Sequence, residues 1–91
     1  GFGLVREFGG HGVGFRVHEE PEVSNSGRGG DGPKLVPGLV IAIEPMVTTG
    51  APDIIINADG YTVRTKDGRL AAHFEHTVAI TERGPEILTT I

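Results

Sequence analysis

The sequence predicts a chain built mostly from antiparallel β-strands joined by tight turns. Three observations carry that expectation. Fifteen glycines and six prolines in 91 residues interrupt the chain too often for long helices. Apolar side chains recur either in strict alternation, as in Val13-Gly14-Phe15-Arg16-Val17, or in short unbroken runs, as in Leu39-Val40-Ile41-Ala42-Ile43. Asp67-Gly68, set between β-branched stretches, is a favoured two-residue hairpin turn.

Residues 1–8, with Phe2, Leu4, Val5 and Phe8 apolar, fit the last turn of a helix or the start of a strand. Residues 9–17 read as a glycine-interrupted strand with His11, Val13, Phe15 and Val17 on one face, which aims the His11 imidazole into whatever the strand packs on. Residues 20–38 read as a loop, glycine-rich over 24–36. No lysine-hydroxyl pair or helix start follows those glycines, so they do not form a phosphate cradle. The run 39–43 suits a strand buried on both faces and ends in Glu44-Pro45. Ile54-Ile55-Ile56 gives the next strand. Residues 61–65 are then expected to pair through Asp67-Gly68 with a long return strand, 70–80, and residues 86–91 supply a last strand.

Composition narrows the function. A net charge of −4 without a basic stripe argues against nucleic acid as the partner, and no stretch resembles a signal peptide or a membrane span. No cysteine is present, so thiolate metal sites and disulfides are excluded. A chain this short buries one modest core. It also begins at Gly1 within patterned sequence, which points to a single partial domain over 1–91.

Three polar residues, His11, Glu44 and Glu75, stand where polarity is awkward. His11 is boxed by Gly10 and Gly12, and glycine there permits positive φ and a close approach of another group. His18 follows seven residues later. Glu44 closes the apolar run, held extended by Pro45, and a buried carboxylate needs a partner. Glu75 sits in mid-strand against its propensity. Taken singly each has a plainer account: a hydrogen-bonded structural His11, a solvated His18, a Glu44 that reaches solvent. Taken together, one imidazole and two carboxylates suit a borderline-to-hard divalent ion such as Mn, Fe, Co or Zn. Carboxylate-rich sites commonly hold two such ions ~3.5–4 Å apart.

Five ordered blocks carry a resemblance: Gly10-His11-Gly12-Val13-Gly14 with His18-Glu19-Glu20-Pro21, Pro37-Gly38 leading to Ile43-Glu44-Pro45-Met46-Val47, Thr62-Val63 with Asp67-Gly68, Phe74-Glu75-His76-Thr77, and Gly84-Pro85-Glu86-Ile87-Leu88-Thr89. Together they closely resemble the C-terminal half of the methionine aminopeptidases, in the shorter type I form. The resemblance implies an α+β, pita-bread fold, in which two related halves close around two divalent metal ions, and removal of the initiator methionine from nascent polypeptides in the cytoplasm. By that likeness His11, Glu44 and Glu75 are metal ligands, with Glu44 also handling the proton of the nucleophilic water and Glu75 bridging both ions. His18 is the histidine that hydrogen-bonds the scissile amide. Tyr61 and His73 lie on the substrate side, where the family more often has tryptophan and glutamine.

The same likeness assigns two aspartate ligands and a further histidine to an N-terminal half that these residues lack. Two functional classes follow: part of a dinuclear aminopeptidase, or a non-catalytic pita-bread module that binds peptides. Proline-specific aminopeptidase and prolidase relatives rank behind the first, because they lack the wording around Glu44 and Glu75. A half-fold exposes the face its partner covers, so the chain alone is expected to be marginal or self-associated.

Overall fold

The computed structural model describes residues 1–90 and contains ten strands among them: β1 Gly3–Leu4, β2 Gly10–Gly12, β3 Glu19–Val23, β4 Val40–Ile43, β5 Met46–Thr48, β6 Ile54–Ile56, β7 Val63–Thr65, β8 Ala71–His73, β9 His76–Thr81 and β10 Gly84–Ile87. They form a five-stranded sheet in the order β10-β9-β4-β2-β3, a three-stranded sheet β1-β5-β8, and a ribbon β6-β7. Every pairing is antiparallel. The described residues include no helix, so none is long and apolar enough to cross a membrane. Within segment 1–8 only Gly3–Leu4 is strand, and the described residues form an all-strand part of the fold, as the sequence leads one to expect of them.

One feature of the register positions the candidate site. β4 pairs with β9 so that Ile43 faces His76, and β5 pairs with β8 so that Met46 faces His73. The two ladders share one register, which puts Glu44 opposite Glu75 and Pro45 opposite Phe74. Both chains bend at this point and pass from one sheet to the other. Pro45, which has no amide hydrogen to give a ladder, marks the bend on one side. The Phe74 amide still donates to the Pro45 carbonyl, at 3.2 Å, and holds the two bends together.

The core is small and sits on the five-stranded sheet. Ile41, Ala42 and Val78 are buried there, with Ile41 and Val78 facing each other across β4 and β9. Val5 and Thr48 are buried at the three-stranded sheet, and the Thr48 hydroxyl donates to the carbonyls of Gly50 and Ala51. The glycines around His11 serve this packing. None of Gly10, Gly12 and Gly14 has positive φ. A Cβ on Gly10 would run into the Ala42 carbonyl oxygen, and one on Gly12 into that of Glu20. The glycines thus let β2 lie tightly between β3 and β4, and the sharp turn expected beside His11 is not there.

Several expectations change in the structure. The strand expected over 9–17 stops at Gly12, and Phe15 and Val17 are exposed. The loop expected from residue 20 begins later, because β3 takes Glu19–Val23. That strand is an edge, where Glu20 and Glu22 meet solvent and the ladder to β2 shifts register so that Glu20 and Pro21 are left unpaired. The return strand over 70–80 is two strands, β8 and β9, broken at Phe74-Glu75. The 61–65 segment does not pair with it. β7 instead pairs with β6 across the turn at Asp59-Gly60, where Gly60 takes φ of 78°. The last strand lies at Gly84–Ile87, earlier than 86–91, and residue 91 of that expectation falls outside the described residues.

Candidate metal centre

Three adjacent strands deliver the site. His11 faces Ala42 across β2 and β4, which makes Glu44, two residues on, its diagonal neighbour. Glu75 faces Glu44 through the register of the two bends. One ligand atom from each of His11, Glu44 and Glu75 lies within 4.8 Å of the other two. His11 Nε2 is 3.7 Å from Glu44 Oε1, and both side chains are about six-sevenths covered, at 14% and 15% exposure. Glu75 is exposed.

The imidazole is oriented for ligation. His11 Nδ1 lies 2.9 Å from the Gly12 carbonyl oxygen. A carbonyl only accepts, so Nδ1 carries the hydrogen and the Nε2 lone pair is turned toward Glu44. A backbone carbonyl on the remaining nitrogen is the usual arrangement around metal-bound histidine. The donor set also fits a cation on electrostatic grounds. Two carboxylates directly opposite each other on paired strands repel, and a divalent ion between them reverses that sign.

The other candidates fall at different places. The His18 ring packs on His11 with centroids 4.0 Å apart and planes tilted by 37°. His73 Nε2 lies 3.7 Å from Glu44 Oε2, so His73 stands beside the cluster. Tyr61 is 88% exposed in the turn that joins β6 to β7, and among the described residues its hydroxyl makes no hydrogen bond. Two features escaped the sequence: the Gly12 carbonyl that sets the His11 tautomer, for which a backbone atom leaves no signal, and the contact of His73 with Glu44, which depends on strand register.

Residues 1–82 match the model of metallopeptidase family M24. The chain belongs to this family. Within M24 it is similar to a methionine aminopeptidase of Clostridium perfringens, 59% identical over 91 residues, which cover all of this chain and 36% of that protein. A methionine aminopeptidase of Aquifex aeolicus is 55% identical over 93 residues, again with 36% of its length covered. The crystal structure of methionine aminopeptidase from Thermotoga maritima superposes with a TM-score of 0.94 at 48% identity, covering all of this chain and 36% of that one. That from Rickettsia prowazekii gives 0.94 at 42% identity, covering 98% and 36%. The architecture is therefore a portion of the M24 pita-bread fold, all strand in this portion. The chain spans about a third of the length of the curated relatives it matches.

Proposed function

We propose that these residues form the C-terminal part of a dinuclear methionine aminopeptidase, with His11, Glu44 and Glu75 as three of its metal ligands. The observation that carries the reading is the convergence of one oriented imidazole and two opposed carboxylates within 4.8 Å. The names of the relatives support the substrate class, the N-terminal methionyl peptide. Divalent ions held there, Mn, Co, Fe or Zn, would supply charge that lowers the pKa of a water molecule and polarises a carbonyl. A peptide-binding module without catalysis has no use for this set, since two opposed carboxylates destabilise a sheet that holds no cation.

The chain's own groups divide the remaining work. Glu44 takes the proton of the attacking water on a carboxylate oxygen and delivers it to the departing amine. His18, braced against His11, donates a hydrogen bond to the scissile amide as negative charge develops on its oxygen. Glu75, exposed beside Glu44, would help hold the ions with its carboxylate. Tyr61 and His73 flank the substrate side, and the remaining ligands come from an N-terminal half of the fold. Three ligands alone leave the geometry of two ions incomplete. The proposed setting is the cytoplasm, where nascent chains are made.

The test is calorimetric titration of Mn(II) and Co(II), comparing this chain with Glu75→Ala, alongside cleavage of Met-Ala-Ser. Weak binding and no cleavage by the chain alone, both restored by an N-terminal half carrying the aspartates and both lost with Glu75→Ala, is the expected result. Restored cleavage that survives Glu75→Ala overturns the assignment.

A further inference from the structure

His73 stands on the side of Glu44 away from His11. Its Nε2 lies 3.7 Å from Glu44 Oε2, while His11 Nε2 lies 3.7 Å from Oε1, so each oxygen of one carboxylate faces a different imidazole. Register explains the symmetry. His11 is the diagonal neighbour of Glu44 across β2 and β4, and His73, two residues before Glu75, is its diagonal neighbour across the bend. The hydrogen bond from the Phe74 amide to the Pro45 carbonyl, adjacent to both residues, fixes that diagonal. Among the described residues Glu44 is the one acidic group within 4.0 Å of the His73 ring nitrogens, and that ring makes no hydrogen bond.

We propose that His73 is a positioning residue for Glu44: its Nε2 hydrogen engages Oε2, so the carboxylate presents Oε1 alone toward His11 and Glu75. The present separation is longer than a hydrogen bond. Catalytic hydrogen bonds that are long in the unliganded site tighten when the site is loaded. A carboxylate held by its outer oxygen keeps a single-oxygen geometry toward a cation, and its inner oxygen stays aimed where a proton is to be taken. Removal of such an outer partner typically costs 10–100-fold in metal affinity or activity. The inference rests on the proposed aminopeptidase reading and gives His73 a task on Glu44 instead of on the substrate.

The experiment places this chain in the Clostridium perfringens methionine aminopeptidase, in exchange for the matching third, and follows Mn(II) affinity by calorimetry together with kcat and KM for Met-Ala-Ser. His73→Phe keeps ring bulk without the polar hydrogen. It is expected to lower Mn(II) affinity and kcat by about 10-fold or more, with KM unchanged. His73→Gln, which restores a side-chain N–H, recovers both, and the metal-free melting temperature stays put in each variant. Wild-type Mn(II) affinity in His73→Phe, or a rise in KM at constant kcat, overturns the proposal. Glu75→Ala separates the two levels: if it binds Mn(II) as wild type does, the aminopeptidase reading fails and His73 falls with it.

Discussion

The five-stranded sheet and the β6-β7 ribbon are held by different forces. In the sheet, Ile41 is 2% exposed and faces Val78, and the strands press so closely that Gly10 and Gly12 leave no room for a Cβ. In the ribbon, Ile56 and Val63 are exposed, and short polar contacts do the holding. The Asp59 carboxylate accepts hydrogen bonds from the amides of Tyr61 and Thr62 and from the Thr62 hydroxyl. Asp67 accepts from the amides of Ala51 and Arg69. The difference shows why the site is where it is. His11 and Glu44 need atoms that stay in place, and only the sheet restrains them by packing on several sides.

The largest expected effect breaks the sheet. Ile41→Ala removes the centre of a core with few other members and is expected to cost about 2–5 kcal/mol, measured by chemical denaturation. For a chain this small that removes most or all of the cooperative transition. An unchanged midpoint would show that the sheet is not where the stability resides.

A smaller and opposite effect is expected at the bend. Glu75→Gln removes one of two opposed like charges, so the metal-free chain gains about 0.2–1 kcal/mol while Mn(II) affinity falls. Stability and metal affinity that drop together would mean the two carboxylates do not repel across the bend.

The ribbon responds locally. Asp59→Ala is expected to speed amide hydrogen exchange over residues 54–65 and leave β4 and β9 unchanged. Exchange that rises uniformly in all strands would instead make ribbon and sheet one cooperative unit.

Acid sharpens the same contrast by the smallest step. The hydroxyl and amide of Thr62, with the Tyr61 amide, hold the Asp59 carboxyl below its usual 3.8, and the amides of Arg69 and Ala51 do the same for Asp67. A carboxylate with a depressed folded value stabilises fully above its unfolded value and loses that contribution as pH falls through the folded one. The two turns are therefore expected to loosen below about pH 3.8, visible in the amide shifts of Thr62 and Arg69. Loosening that begins near neutral pH would assign the turns to other groups.

How far the sequence discloses this arrangement depends on the range of the interaction. Glu44 ahead of Pro45 and Glu75 within an apolar segment are visible as misplaced carboxylates, because their cost is local. That the two face each other is a property of paired strands and has no local mark. Asp67-Gly68 illustrates the same limit. The dipeptide dictates a turn, and Gly68 does take φ of 77°, but the strands it joins pair elsewhere, β7 with β6 and β8 with β5. β3 was concealed by Pro21 and its glutamates, residues that an edge strand accepts and a central one refuses. Phe15 and Val17 alternate as a strand would, yet both are exposed, so their pattern does not describe packing within these residues.

The common register of the two bends also sets how this part of the fold can change in length. Residues 49–70 leave the paired strands after Thr48 and return at Ala71, and nothing in the alignment of Glu44 with Glu75 depends on how many residues lie between. Insertions and deletions in the connections outside β6 and β7 are expected to be absorbed as loop. A single residue added between Ile43 and Met46 would turn every later side chain of that strand to the opposite face. Length variation should thus be tolerated in the turns on either side of β6 and β7 and forbidden over the three peptide bonds that join β4 to β5, a contrast that a deletion scan would display residue by residue.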